Sequence, residues 1–122
     1  MMNGDELMDA LFAAITARDL DAVAELYDPD MLFWTNASGH TLEREGSLKV
    51  LRAFTRRVEA ARYEVLERRH WEGGAMQRHV LVVRVGDSDH EIDVCIVFGF
   101  HGGRITRIWE YVDGRALAPL GW

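Results

Sequence analysis

The chain has 122 residues, of which 48% are apolar and 28% charged, with two prolines and a formal net charge of −6. This length fits one hydrophobic core and is too short for two ordinary domains, so we predict one domain over residues 1–122. The composition excludes collagen-like and disordered chains. The acidic balance and a single lysine, Lys49, argue against nucleic acid as a partner, because binding to a phosphate backbone requires a basic surface.

Cysteine content and hydropathy bear on the cellular compartment. The one cysteine, Cys95, lies in an apolar run and cannot form an intramolecular disulfide. No segment has the basic start and apolar run of a signal peptide, and no window approaches the roughly 18 apolar residues of a membrane span. We therefore expect a cytoplasmic protein without a membrane partner.

The first predicted element is a helix over Asp5–Ala17. Asn3 and Glu6 have the spacing of a capping box, in which each side chain bonds to the backbone of the other residue. Apolar side chains recur on one helical face, namely Leu7, Met8, Leu11, Phe12 and Ile15.

A second, short helix is predicted from Asp19, which is a suitable N-cap, to Tyr27. It ends there because Pro29 disfavours helical conformation in the residue before it. Residues 31–36, MLFWTN, are predicted to form a brief strand, which the polar stretch ASGHT ends.

The longest predicted helix runs from Ser47 to about Ala61. Ser47 follows a glycine and can cap the first turn. The apolar face of this helix consists of Leu48, Val50, Leu51, Phe54 and Val58.

The second half of the chain is predicted to form four antiparallel strands joined by the glycine-containing turns EGGA, GDSD and HGG. The strands are Tyr63–Trp71, Met76–Val85, His90–Phe100 and Arg104–Val112. Three helices followed by these strands indicate an α+β fold in which the helices cover one face of the sheet.

The middle hairpin indicates which side chains face the helices. A GDSD turn that pairs Val83 with Ile92 and His79 with Ile96 separates an apolar face from a mixed, charged face. The apolar face, which we expect to lie against the helices, consists of His79, Leu81, Val83, Ile92, Val94, Ile96 and Phe98.

Two registers are open to the last hairpin, because a slip of one residue turns every side chain over. A three-residue HGG loop, which pairs Glu110 with Val94, directs inward Thr106, Ile108, Glu110 and Val112. A two-residue GG loop directs inward Arg107, Trp109, Tyr111 and Asp113. We prefer the first register, because burying two charged residues and two large aromatic ones costs more than burying one carboxylate. A buried Glu110 is a candidate general acid or base.

Histidines and an arginine lie near the same inner face. The EGGA turn is predicted to pair Leu66 with Leu81, Arg68 with His79, and His70 with Gln77. His79 is then either a core histidine or a second acid/base group that can also donate to a ligand carbonyl. The spacing of the five histidines fits no metal site, and no phosphate loop or nucleophile elbow is present, so we expect neither metal nor cofactor.

Two stretches carry a family resemblance that covers nearly the whole chain. Residues 17–34, ARDLDAVAELYDPDMLFW, and residues 102–113, GGRITRIWEYVD, resemble the SnoaL-like polyketide cyclases, the ketosteroid isomerases and the nuclear transport factor family. The resemblance implies three N-terminal helices on a strongly curved, mixed, mainly antiparallel sheet that forms a cone with an internal pocket.

Functional residues follow from the resemblance only position by position. SnoaL-like cyclases carry Trp-Asp-x-x-Asp on the last strand, which implies that Glu110 of WEYVD takes the place of the acid/base aspartate. The two carboxylate positions of ketosteroid isomerases correspond to Thr35 or Asn36 and, roughly, to Ile96, which argues against steroid isomerisation. The Asp-Arg-Asp set of limonene epoxide hydrolase-like proteins has no match.

A pocket of this kind would hold a small apolar or aromatic molecule. Its predicted lining residues are Trp34, Tyr27, Asn36, Ile96 and Ile108. The outer face of the sheet is too apolar to stay in water, and family members commonly pair there. We therefore predict a homodimer through Trp109, Tyr111, Val80, Val82, Cys95 and Val97.

Three functions are compatible with this sequence. The first, which we favour, is a cofactor-independent isomerase, cyclase, hydratase or dehydratase, with Glu110 as acid/base and His79 as a polarising or second proton-transfer group. The second is a noncatalytic domain that binds a small ligand in the same pocket. The third is a dimerisation domain in which side chains fill the pocket and Arg68 neutralises Glu110.

Overall fold

The computed structural model describes residues 1–122, and its helices precede most of its strands. The helices are α1 (Gly4–Thr16), α2 (Leu20–Leu26), α3 (Arg44–Arg57) and α4 (Gly114–Leu117), followed by a 3-10 turn over Ala118–Leu120. The strands are β1 (Tyr27–Thr35), β2 (Thr41–Glu43), β3 (Ala60–Trp71), β4 (Gly74–Val85), β5 (Ser88–His101) and β6 (Arg104–Val112). No helix is both long and apolar enough to cross a membrane.

The six strands form one open sheet in the order β2-β1-β6-β5-β4-β3. β1 and β6 run parallel, whereas every other neighbouring pair is antiparallel. The predicted α+β architecture of three N-terminal helices on a mixed, mainly antiparallel sheet is confirmed. The sequence did not indicate β2, α4 or the 3-10 turn, because each is too short to show a hydrophobic period.

Local signals correctly placed the first helix. The capping box is present, since the Asn3 side chain accepts from the Glu6 backbone and the Glu6 side chain accepts from the Asn3 backbone. α1 ends at Thr16, with Ala17 as its C-cap, and the next residue, Arg18, has a φ of +61° that starts the turn into α2. The Arg18 guanidinium donates to the carbonyls of Thr55 and Val58, so it joins the end of α1 to the end of α3.

The third helix differs from its prediction at both ends. It begins at Arg44, so Ser47 is not its cap but a buried residue within the helix. It ends at Arg57, before the predicted Ala61, because Val58 is extended and inserts into the core. The bond from Arg18 to the Val58 carbonyl supports this early end.

The register predicted for the middle hairpin is wrong by two residues, although its faces are correct. His79 lies opposite Val94, and Val83 lies opposite His90, because the turn consists of two residues, Gly86 and Asp87. A shift of two residues leaves every side chain on its predicted face. The predicted inner face is therefore confirmed, and Val83, Ile92 and Phe98 are almost fully buried in it.

In the last hairpin the predicted face of the strand points inward, but the loop and the register differ from the prediction. Its loop is the two-residue Gly102-Gly103 turn, with both φ angles positive, and not the predicted three-residue loop. Such a loop alone would send Trp109 inward. However, Gly99 lies opposite Arg107 and Phe100 lies opposite Ile105, so Thr106 is an unpaired bulge residue that restores the original alternation.

Two pairings in this hairpin therefore have to be corrected. Glu110 faces inward as predicted, but it lies opposite Ile96 and not Val94. Ile105, which is fully buried, takes the core position predicted for Thr106.

The first hairpin also contains a bulge, which was not predicted from the sequence. Arg68 lies opposite Gln77 and not His79, and His70 lies opposite Ala75. Beyond Glu67 the register shifts by one, so Leu66 has no partner. This shift turns Tyr63 towards the helices, although the predicted pairing places it on the outer face.

Candidate active site

A cavity of about 410 Å³ lies between the helices and the inner face of the sheet, and 19 of its 24 lining residues are hydrophobic. This volume is within the range of sites for small organic molecules. The hydrophobic wall includes three of the predicted residues, Tyr27, Ile96 and Ile108. The polar side chains at the cavity are Glu110, His79, Arg57, Tyr27, Tyr63, Thr35 and Ser47.

Among the ionisable groups of this cavity, Glu110 is the best suited to act as an acid or base near neutral pH. Its Cα partners are Ile96 on β5 and Thr35 on β1, so it sits on a central strand between two others. Burial raises the pKa of its carboxyl to about 7, while a hydrogen bond with Thr35 opposes part of this rise. A carboxyl with this pKa can either accept or release a proton near neutral pH.

His79 lies on the same inner face, two strands away. It is 3% exposed, and burial lowers its pKa to about 4, so the imidazole is neutral at pH 7. The rings of Tyr63 and Phe12 meet it edge to face, with centroids 5.1 and 5.4 Å away. These aromatic contacts hold the imidazole ring in one orientation at the cavity wall.

Arg68 does not neutralise Glu110. Its Nη1 donates to Asp5 Oδ1 at 2.6 Å and to Asp9 Oδ1 at 2.8 Å, both on α1. Its Nε and Nη2 donate to Oε1 of Gln77 at 2.9 and 2.7 Å. The guanidinium therefore joins α1 to the sheet and leaves the carboxyl of Glu110 without a cationic partner.

Two tyrosines add hydroxyl groups to the cavity. Burial raises the pKa of Tyr27 to about 12, and the Ser47 side chain hydrogen bonds to it. Burial also raises the pKa of Tyr63, and the negative charge of nearby Glu110 raises it further. Both phenols therefore remain protonated and can donate hydrogen bonds.

Two of the predicted lining residues lie elsewhere. Trp34 lies on the outer face, beside Trp109 and with its ring 5.2 Å from that of Tyr111, because the parallel pairing of β1 with β6 turns Phe33 and Thr35 inward. The prediction that Trp34 lines the pocket is therefore wrong.

Asn36 does not line the cavity either, because its side chain bonds to the backbone of β6. Its Nδ2 donates to the Val112 carbonyl at 3.0 Å, and its Oδ1 accepts from the Val112 backbone at 2.8 Å. The side chain thus fixes the end of β1 to β6 and is not a cavity-lining residue.

Three residues at this site were not predicted from the sequence. Gln77 could have been found, since it shares the alternation of His79 on one strand. Tyr63 could not, because the bulge in β3 reversed its face. Trp122 lies at the C-terminal end of the chain and packs against Phe54, with ring centroids 5.8 Å apart.

The outer face of the sheet carries the aromatic residues predicted for a subunit interface. Tyr111 lies opposite Cys95, and Trp109 lies opposite Val97. The guanidinium of Arg107 lies 4.8 Å from the ring centroid of Trp109. Val82 differs from its prediction, since it is only 3% exposed between its Cα partners Arg62 and Glu91, whose long side chains flank it.

Comparison with known proteins identifies one family and many solved structures with a similar fold. The SnoaL-like domain model matches residues 8–108. No curated protein sequence matches the chain significantly. IdmH, a candidate polyketide cyclase from Streptomyces antibioticus, is 19% identical to this chain and superposes with a TM-score of 0.86. The match covers 99% of this chain and 100% of the IdmH chain.

Two further solved structures have the same fold. An LEH-like epoxide hydrolase from M. tuberculosis is 18% identical with a TM-score of 0.77, covering 93% of this chain and 85% of its own. A Catenulispora acidiphila protein with a ketosteroid isomerase-like fold, in complex with trimethylamine, is 18% identical with a TM-score of 0.83, covering 98% of both chains. At these identities the similarity establishes the fold alone.

Proposed function

The chain belongs to the SnoaL-like family, and we propose that it is an enzyme that moves a proton on a small apolar molecule bound in the cavity, without a cofactor. The observation that carries this proposal is the position of Glu110, a carboxyl with a pKa of about 7 at the wall of an apolar cavity. A half-buried carboxyl in an apolar cavity, without a cationic partner, costs stability, and catalysis is a common reason for that cost.

The proposed reaction begins at a carbon next to a carbonyl group. Ionised Glu110 accepts a proton from this carbon, and the electron pair of the broken C–H bond moves to the carbonyl oxygen. His79 stabilises the resulting enolate by a hydrogen bond. Isomerisation, cyclisation and dehydration can all start with this step, and Glu110 returns the proton in the last stage.

The spacing of the two side chains suits this division of roles. Gln77 on β4 lies opposite Ile96 on β5, and Ile96 lies opposite Glu110 on β6. In the same way His79 lies opposite Val94, and Val94 lies opposite Val112. The backbones of β4 and β6 are therefore about 10 Å apart, twice the usual strand separation. A ring-sized ligand therefore fits over β5, between the side chains of His79 on β4 and Glu110 on β6.

Deuterium exchange tests this function without knowledge of the natural substrate. A bicyclic aromatic ketone such as 2-tetralone is incubated with the protein in D₂O, and loss of its α-proton signal is followed by NMR. We expect exchange faster than in buffer alone, and a decrease of about 10²- to 10⁴-fold in the Glu110→Gln variant. The matched control is Glu91→Gln on the exposed outer face. Undiminished exchange by Glu110→Gln would remove Glu110 from the mechanism.

A noncatalytic ligand-binding domain is the second candidate, and the largely apolar cavity wall favours it equally. In that case ketones and related molecules raise the melting temperature by binding, but no proton exchange accompanies the binding. The third hypothesis, a pure dimerisation domain, required Arg68 to neutralise Glu110. The bonds of Arg68 to Asp5, Asp9 and Gln77 speak against it.

We also propose that two copies pair through the outer face of the sheet. Trp34 joins the predicted interface residues Trp109 and Tyr111 there, and these three aromatic side chains form a continuous group. Aromatic residues are enriched at the centre of protein interfaces. The buried Val82 is not part of this contact surface.

A further inference from the structure

A chain of hydrogen bonds runs from the surface of α1 to the cavity wall. It begins with Asp5 and Asp9, which hold Nη1 of Arg68. It continues from Nε and Nη2 of Arg68 to Oε1 of Gln77, and from Gln77 to His79. The acid/base function proposed above uses only the last member of this chain.

Arg68 determines the orientation of the Gln77 amide. A guanidinium has only donors, so the atom that meets two of its N–H groups must be the amide oxygen. The reverse orientation would place the amide NH₂ against these donors, and Gln77 is completely buried, so no solvent could relieve the clash of donors. The amide NH₂ is therefore directed towards His79.

The amide in turn determines the tautomer of His79. Nε2 of Gln77 lies 2.9 Å from Nδ1 of His79. Because the amide nitrogen donates, Nδ1 must accept, and the proton of the neutral imidazole is on Nε2. Nε2 makes no hydrogen bond within the protein, and the side chain lines the cavity.

We propose that Arg68 and Gln77 are positioning residues that hold His79 in the Nε2–H form, so that His79 donates a hydrogen bond to an oxygen atom of the ligand and does not act as a base. The ligand class follows from this geometry, namely an apolar molecule with a carbonyl or enolate oxygen. The identity of the ligand rests on the proposed function. The tautomer itself does not, since it follows from the hydrogen bonds alone.

A purely structural role for Arg68 is the competing explanation. Its ion pairs with two exposed carboxylates could simply attach α1 to β3, and such pairs contribute little each. A measurement of stability cannot separate the two roles. A measurement of the imidazole tautomer can, because simple attachment of the helix predicts no effect on it.

The first test uses the unmodified protein without any ligand. Long-range ¹⁵N–¹H correlation spectra at pH 7 distinguish a protonated from an unprotonated ring nitrogen. We expect a protonated Nε2 and an unprotonated Nδ1 for His79. A proton on Nδ1, or on both nitrogens, overturns the proposal whether or not the protein proves to be an enzyme.

The second test changes the two positioning residues. In Gln77→Glu, which conserves shape, the carboxylate can only accept, so the proton of His79 should move to Nδ1. In Arg68→Met, the amide loses its fixed orientation and His79 should become a mixture of tautomers. The matched control is Arg69→Met, since Arg69 pairs with Glu67 at 2.9 Å on the exposed side of the same strand.

The outcomes of the second test are distinct. An unchanged Nε2–H form in Gln77→Glu means that Gln77 does not set the tautomer, which overturns the proposal. An unchanged tautomer in a folded Arg68→Met variant removes Arg68 from it. Should Arg68→Met fail to fold, Arg68→Lys retains a cation but loses the fork that holds the amide oxygen, and partial mixing of tautomers is the expected result.

Discussion

Thr106, the unpaired residue of β6, lies four positions before Glu110 and determines which face of the sheet the carboxylate occupies. If Thr106 instead paired with Gly99, the two-residue turn at Gly102-Gly103 would direct Trp109 inward. The position of the candidate catalytic group thus depends on Thr106 remaining outside the strand pairing.

Insertion of an alanine after Arg107 should therefore damage the fold far more than deletion of Thr106. The inserted alanine takes the place of Ile108 opposite Phe98, so the rest of β6 turns over, which exposes Ile108 and directs Trp109 inward. Loss of a buried isoleucine alone costs about 1.5–3 kcal/mol, and the misplaced tryptophan adds to it. We expect a loss of more than about 3 kcal/mol in the free energy of unfolding, measured by urea denaturation.

The control for this insertion is deletion of Thr106. The deletion removes only the unpaired residue and leaves Arg107 opposite Gly99 and Glu110 opposite Ile96, so it should cost less than about 1 kcal/mol. Equal stability of the insertion and deletion variants would show that this register does not hold β6 in place.

Glu110→Gln should stabilise the protein at alkaline pH while it lowers activity. The folded pKa of about 7 lies above the ordinary 4.5, so the folded state binds this proton more tightly than the unfolded state. Wild-type stability consequently falls as pH rises from 4.5 to 7, by on the order of 3 kcal/mol, and the loss persists above pH 7.

The variant lacks this titration, so at pH 8 it should be more stable than wild type by up to about 3 kcal/mol, and near pH 4 the two should be alike. His79 titrates in both proteins and cancels from the difference. Thermal and urea unfolding at the two pH values provide the measurement. A variant less stable than wild type at pH 8 would contradict the desolvated, unpaired state of the Glu110 carboxyl.

The pH dependence of activity should follow the same carboxyl. If Glu110 is the base, kcat/KM rises as pH increases through about 7 and is then constant, because the ionised form is the active one. His79 adds no step near neutrality, since burial lowers its pKa to about 4. A profile measured from pH 5 to 9 that instead falls through pH 7 would assign Glu110 the role of an acid.

A charge in the proposed interface should separate the subunits. Tyr111→Glu places a carboxylate within the aromatic group of the outer face, where burial in a dimer would leave it unpaired. We expect a monomer by analytical ultracentrifugation at micromolar concentration, against a dimer for wild type. Val50→Glu is the control, since Val50 on α3 is 50% exposed and Tyr111 is 48% exposed. A wild-type monomer, or dissociation by both variants, would refute an interface at this face.

Local sequence signals were sufficient for the elements and for most of the faces. The capping box of Asn3 and Glu6 fixed the start of α1, and Asp19 capped α2 as predicted. Alternation along β4 and β5 placed His79 and Ile96 on the inner face. These signals involve residues close together in the chain, whose geometry is set by backbone hydrogen bonding and by the strand period.

The tertiary structure decided what depends on pairing between distant segments. Bulges at Leu66 and Thr106 changed the partners of both outer hairpins, and the first of them brought Tyr63 into the cavity. The parallel pairing of β1 with β6 moved Trp34 to the outer face. A bulge leaves no periodic trace in the sequence, because its position is selected by how the whole sheet packs against the helices.

Glu110 shows both contributions. The sequence by itself determined that its strand has one apolar and one mixed face, and that a buried carboxylate was the less costly alternative. Only the folded chain determined that Arg68 bonds to Asp5, Asp9 and Gln77, which leaves Glu110 unpaired beside a cavity. The physical reason is that an ion pair depends on side-chain positions in three dimensions, whereas alternation depends only on the order of residues along one strand.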